Sequence, residues 1–140
     1  MKKPVLLAVP LLALAAGGLA PATASAASAA ANGITITSAV VNPQNSSSVI
    51  VRFDHACTSL LGVGVSMLYA HQDSAEGTNG FRPVCDGQTH SESVTAISQR
   101  GGIVAPTFES GEPAYVSITI VDLSLQPVVS TPQPNKVVLG

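Results

Sequence analysis

The chain has no tryptophan, and only three phenylalanines and two tyrosines among its 140 residues. Any core must therefore rest on Val, Ile and Leu rather than on large rings. Charge is scarce too, at 10% of residues. Beyond residue 26 the basic side chains are only Arg52, Arg82, Arg100 and Lys136, against eight acids, a formal charge of about −4. Nucleic-acid binding needs clustered Lys and Arg to displace counterions from phosphates, and four scattered cations exclude it. The same scarcity argues against electrostatic docking on anionic lipid. There is no internal repeat, no coiled-coil heptad and no amphipathic helical period. Nor is there a Gly-x-Ser-x-Gly elbow or a phosphate-binding glycine loop, since Gly62-Val63-Gly64 lacks a third glycine and a following lysine.

What is present begins with an export signal. Lys2 and Lys3 precede an apolar run from Val5 to Ala16, followed by Ala-x-Ala steps at Ala22–Ala24 and Ala24–Ala26. That order predicts a secretory signal peptide over 1–26, cleaved near Ala26. An uncleaved anchor is the competing reading, but Pro4, Pro10, Gly17 and Gly18 interrupt the roughly 20 apolar residues a membrane helix needs. No second apolar segment, lipidation cysteine or sorting motif follows. The expected fate is a secreted, extracellular protein without a membrane anchor after cleavage. Residues 27–32 read as a flexible lead-in and 33–140 as one domain. Cys57 and Cys85, in an oxidising compartment, predict one disulfide. A loop of that length stabilises a fold by about 3.5 kcal/mol on the chain-entropy model, a large share of the roughly 5–15 kcal/mol of a typical domain.

The rest of the pattern is β. Gly33–Val41 alternates Ile and Thr, and Asn42-Pro43 stops it. In 49–57, Val49, Val51, Phe53 and Cys57 share one parity, so that face should be buried. In Leu61–Gln72, Leu61, Val63, Val65, Met67 and Tyr69 share a face opposite Gly62, Gly64 and Ser66. Two interior glycines would each cost about 1 kcal/mol in a helix, so strand is preferred. Asp73–Gly80 reads as a loop, Phe81–Cys85 as a short strand put at a sheet edge by Pro83, and Asp86-Gly87 as a hairpin turn. Gln88–Gln99 reads as a polar outer strand, 100–112 as a crossover and Pro113–Leu123 as a central strand. Gln126–Asn135 reads as irregular and Lys136–Leu139 as a last strand. About seven short strands predict an all-β, immunoglobulin-like two-sheet sandwich, in architecture only, since the core tryptophan of antibody domains is missing.

Cys57, Gln72, the Cys85-Asp86-Gly87 step, His90 and the Gly111–Ala114 segment together resemble a family of small secreted actinobacterial proteins of unknown function. The likeness spans roughly residues 49 to 122. It implies a disulfide-clipped sandwich and brings no assigned activity. Family members often carry an aromatic residue just after the position of His90; Ser91 and Glu92 stand there in this chain.

Candidate chemistry is thin. Cys57 and Cys85 could be a reactive thiol pair, but they are not Cys-x-x-Cys and no basic cluster lies near. His55 and His90 flank the cysteines and could complete a Cys₂His₂ zinc set, but the spacing is not that of a finger and oxidation removes both thiolates. The expectation is therefore no metal and no cofactor. Asp54 and His55 are adjacent, so on a strand they face opposite ways and cannot serve one nucleophile. The acid pairs Asp73/Glu76 and Glu109/Glu112 read as solvated loop charges rather than the carboxylates of a glycosidase. Asn45-Ser46-Ser47 fits a glycan sequon of the kind that arises often by chance.

The expected function is a non-enzymatic binding module acting through loops 73–80 and 100–112, on an extracellular protein or a small-molecule ligand. The alternative is a small-molecule carrier. The exported, immunoglobulin-like apoproteins of enediyne antibiotics are similar in size and kind, although they typically have two disulfides. An extracellular hydrolase is the third reading.

Overall fold

Alternating β-branched residues leave one face of each segment apolar, and the chain buries those faces against one another. A computed structural model of the chain describes residues 31–99, 105–124, 127–131 and 135–140. The expected signal peptide (1–26), most of the lead-in (27–32) and residues 100–104 of the expected crossover lie outside the described residues. The strands are β1 (Gly33–Val41), β2 (Ser48–Val63), β3 (Val65–Gln72), β4 (Ala75–Phe81), β5 (Val84–Ile97), β6 (Pro113–Val121), β7 (Pro127–Ser130) and β8 (Lys136–Val138). Every pairing is antiparallel, and the described residues contain no helix.

These strands form one hydrogen-bonded sheet in the order β1-β2-β5-β4-β3-β6-β7, with β8 also on β6. The sheet curls until it is nearly closed into a barrel. Gly140, following β8, donates its N–H to Ala39 O (2.9 Å) and accepts from Val41 N (3.0 Å), linking the β6 side to β1. The weak line is between β4 and β5, which share a single bridge, Thr78 to Ile97. The Asn79 side chain reinforces it by donating to Thr95 O at 2.8 Å. The sequence predicts two sheets; the hydrogen bonding gives one, divided by this seam into β1-β2-β5 and β4-β3-β6-β7.

The core is aliphatic as the composition requires. Val49, Val51 and Phe53 of β2, Leu68 and Ala70 of β3, and Val116, Ile118 and Ile120 of β6 are all buried. In β3 the predicted apolar face points outward: Val65 and Met67 are exposed, while Gly64, Ser66, Leu68 and Ala70 face in. The reason is Gly64, which breaks the chain between β2 and β3. A Cβ there would lie 2.9 Å from Ile120 Cγ2, 3.0 Å from Val121 O and 3.3 Å from Cys85 Sγ. Only a residue without a side chain fits, and parity carries the larger side chains out.

Several local expectations are corrected. Residues 73–80 are not a loop. Asp73-Ser74 makes the turn, with Asp73 at φ +48°, and β4 pairs along β3 from Ala75↔Gln72 to Phe81↔Ser66. Asn79-Gly80 therefore does not turn the chain; Gly77 is needed instead, because its Cβ would meet Ala96 at 3.0 Å. Phe81–Cys85 is interrupted at Arg82-Pro83, where buried Pro83 accepts the Gly64 N–H at 3.0 Å. Asp86-Gly87 is not a hairpin turn but a bulge inside β5. Ala56 and Thr58 of β2 pair with Thr89 and Asp86, so β5 carries an extra residue, and Gly87 supplies φ +82°. The Gln126–Asn135 connection contains β7, so the described residues form eight strands where about seven are expected.

Cys57 and Cys85 form the predicted disulfide between neighbouring strands β2 and β5, with Cα atoms 4.5 Å apart. Both residues are buried. The 27 residues between them, at a sequence separation of 28, contain β3 and β4 entire.

Candidate functional site

The end of β2 departs from regular pairing. From Thr58↔Asp86 to Val63↔Val84, five residues of β2 advance against two of β5. The surplus is pushed out as a four-residue bulge, Ser59–Gly62, closed by Ser59 Oγ donating to Val63 O at 2.7 Å. Gly62 takes φ +69° with nothing crowding it. The bulge turns Leu60 and Leu61 into solvent, at 104% and 67% exposure, where leucine burial would be worth about 1.5–3 kcal/mol each.

Facing it is the turn after β6. Asp122 Oδ1 accepts from Ser124 N (2.8 Å) and Ser124 Oγ (2.6 Å), which fixes Leu123 outward at 55% exposure. Between bulge and turn lies an open cleft of about 410 Å³, lined chiefly by Leu60, Leu61, Val63 and Leu123 with Ser59, Asp122 and Ser124 as its polar edge. That volume lies within the ~300–1,000 Å³ of small-molecule sites, and an apolar wall with few polar groups is their usual chemistry.

A second cluster sits where the sequence placed its metal alternative. His55 and His90 face each other across the β2–β5 ladder, with ring centroids 5.7 Å apart. His90 Nε2 pairs across the bulge with Asp86 Oδ1 at 2.8 Å. That hydrogen bond, with a second from the Gln88 N–H, holds the Asp86 carboxyl below its usual range. The His55 side chain is wholly buried, with Nδ1 3.8 Å from Cys57 Sγ and Nε2 3.6 Å from Glu92 Oε1. Its Nε2 has no hydrogen-bond partner. With the disulfide closed, no group of three or more His, Cys, Asp or Glu among the described residues could hold a metal ion.

The remaining candidates disperse. Asp54 faces out and accepts from Ser91 Oγ at 2.6 Å, while its neighbour His55 faces in, as strand alternation requires. Glu76 does not pair with Asp73; it accepts from Tyr69 Oη at 3.2 Å and lies 3.8 Å from His71 Nδ1. Partial burial and then the Glu76 charge push the Tyr69 hydroxyl above its ordinary pKa. Glu109 engages through its backbone. Buried Gln72 donates to Glu109 O (3.1 Å) and accepts from Glu109 N (2.6 Å). Phe108, donating its N–H to Ser46 O at 2.8 Å, plugs the adjacent core. The described part of the second expected loop, 105–112, is thus strapped down rather than free.

Sequence reasoning missed the leucine bulge. Its trace was legible: Leu60-Leu61 breaks the two-residue alternation and Gly62 follows at once. Comparison of the chain with protein-family models, curated proteins and solved structures gives no match to any of them.

Proposed function

We propose that the chain is an exported, non-catalytic binding module that takes a small apolar molecule in the cleft between Ser59–Gly62 and Asp122–Ser124. The observation that carries this reading is the presentation of Leu60, Leu61 and Leu123 to solvent around one concave site. A small domain that leaves three leucines unburied forgoes several kcal/mol unless something covers them. Among the described residues lining the cleft, the acid Asp122 accepts from the Ser124 N–H and hydroxyl. Export is supported by the signal-like first 26 residues and by a disulfide that fits an oxidising compartment. The immunoglobulin-like reading is supported by strand order: β1-β2-β5 and β4-β3-β6-β7 follow the A-B-E and C-F-G groupings, with β4 beside the latter. The resemblance to small secreted actinobacterial proteins accords with such a module, and the resemblance to enediyne apoproteins accords with a carrier.

The test is native mass spectrometry of the exported protein, then titration with an anilinonaphthalene dye. One-to-one saturable binding is expected, weakened by roughly tenfold in Leu61→Asp or Leu123→Asp, as the loss of one apolar contact implies. Non-saturable dye uptake, or equal binding by both variants, refutes the cleft. Exposed Val65, Met67 and Val84 beside it favour a second reading, an extracellular protein partner covering the whole face. A dye-blind protein that captures a partner through Met67 would decide for that one.

A further inference from the structure

The sequence holds two Asn-Gly steps, Asn32-Gly33 and Asn79-Gly80. Such a step ordinarily marks a hairpin turn, yet the second lies inside β4, paired along β3. Its hydrogen bonds set it apart. Asn79 Oδ1 accepts from the Gly80 N–H at 2.8 Å, while Asn79 Nδ2 donates to Thr95 O at 2.8 Å. Only one orientation of the side-chain amide satisfies both partners. We propose that Asn79-Gly80 is a self-modifying site, which deamidates in the folded chain through a cyclic imide and so unlatches the β4–β5 seam.

The geometry supplies the nucleophile. A carbonyl carbon sits about 1.23 Å behind its oxygen, so Gly80 N stands at most about 4 Å from Asn79 Cγ. A small rotation of the side chain closes that to the roughly 3–3.5 Å of a near-attack arrangement. Gly80 is exposed and carries no side chain to screen its nitrogen. Gly80 N gives its proton to hydroxide and bonds to Asn79 Cγ, closing a five-membered ring. The Cγ–Nδ2 bond breaks, and the nitrogen leaves as ammonia with a proton from water, which restores the hydroxide. A further water opens the imide at either carbonyl, giving aspartate or isoaspartate. Water is the sole co-reactant.

The leaving nitrogen is the seam's own latch. β4 and β5 share one bridge, Thr78 to Ile97, and Asn79 Nδ2 is the donor that crosses beside it. In the aspartate product that donor becomes a carboxylate oxygen, charged at neutral pH and able only to accept. It then meets Thr95 O acceptor to acceptor. In the isoaspartate product the backbone also gains a methylene between residues 79 and 80. Gly80 and Phe81 then slip against Met67 and Ser66, disturbing a Phe81 ring whose centroid lies 5.3 Å from that of Phe53. Both products loosen the same line, so the age of the chain is recorded in its opening.

The experiment ages the full mature chain, disulfide closed, in mildly alkaline buffer made with ¹⁸O water, and maps its peptides. The exposed Asn32 is the internal reference for an Asn-Gly step outside a strand. Asn79 should convert within tenfold of the Asn32 rate, each product carrying one solvent oxygen. Gly80→Ala should slow conversion at least tenfold at Asn79 alone, because its methyl group hinders ring closure. Hydrogen exchange over 76–80 and 95–97 should quicken by roughly three- to tenfold in the aged chain and in Asn79→Asp, the factor that one net hydrogen bond supports. The proposal is overturned by an Asn79 that keeps its amide after Asn32 has converted, or by equal conversion in Gly80→Ala. Unchanged exchange across the seam in the converted chain overturns the latch. If Asn79→Asp does not fold, the aged wild-type chain supplies that measurement.

Discussion

Replacing Gly64 with alanine adds a single methyl group, and two opposed effects decide its outcome. The φ of Gly64 is outside the left-handed region, so alanine can adopt the backbone conformation. On that ground alone the change would stabilise by about 0.4–1 kcal/mol, by restricting the unfolded chain. The methyl group, however, arrives 2.9 Å from Ile120 Cγ2, 3.0 Å from Val121 O and 3.3 Å from Cys85 Sγ. None of the three can yield cheaply. Ile120 is fully buried and stiff at χ1, Val121 O belongs to the β6 backbone, and the sulfur is covalently held. Overpacking of this kind costs about 1–3 kcal/mol, so a net loss of about 1–2 kcal/mol is expected. For a domain of this size that lowers Tm by roughly 5–15 °C. The assay is thermal and urea unfolding of the oxidised protein, with Gly80→Ala alongside. Gly80 has an ordinary φ and its nearest neighbour, Ser66 O, would be 3.4 Å away, so this control should be neutral or slightly stabilising. A Gly64→Ala protein that melts at or above wild type refutes the close-approach argument.

Gln72→Leu should cost about 1–3 kcal/mol, because it strands both backbone groups of Glu109, and hydrogen exchange across 105–112 should accelerate; unchanged exchange there would show that the loop is held by other means. The paired change Cys57→Ala with Cys85→Ala should lower stability by about 3.5 kcal/mol, read as a shift in urea midpoint, and an unshifted midpoint contradicts it. Asp86 is stabilised in its charged form by His90, so its contribution is complete above the ordinary aspartate value of 3.8 and fades as pH falls below it. Asp86→Asn should therefore flatten the acid limb of the stability–pH curve, and an acid limb of wild-type slope argues against the pairing.

Several strands and the covalent clip are legible because each follows from a local rule. Alternation located β1, the inward face of β2 and the whole of β6, and the compartment argument paired Cys57 with Cys85. Misreadings arose where one residue type serves two geometries. Asp86-Gly87 carries the chemistry of a hairpin turn and is used for a bulge, since both need a residue tolerant of positive φ. Polar, glycine-rich 75–80 reads as a loop, yet Gly77 is there to let β4 pass close to Ala96. In β3 alternation groups the apolar set, but that set faces out, because a contact from distant Ile120 and Cys85 to Gly64 sets the parity. The cleft was hidden for a related reason. The break in alternation at Leu60-Leu61 marks an irregularity, but only the pairing with β5, which offers two residues against five of β2, turns it into one wall of a cleft.

Because the disulfide joins β2 to β5 at the point where the chain leaves for β3 and returns from β4, it also decides how the molecule carries mechanical load. Tension applied between β1 and β8 passes from Cys57 to Cys85 through the sulfur bridge and bypasses the 27 residues between them. The β3–β4 hairpin is thereby removed from the pulling path. The oxidised chain should extend less than its reduced counterpart when stretched open, by roughly 95 Å at the reach of an extended backbone. A tether of this kind turns the redox state of one bond into a change in contour length.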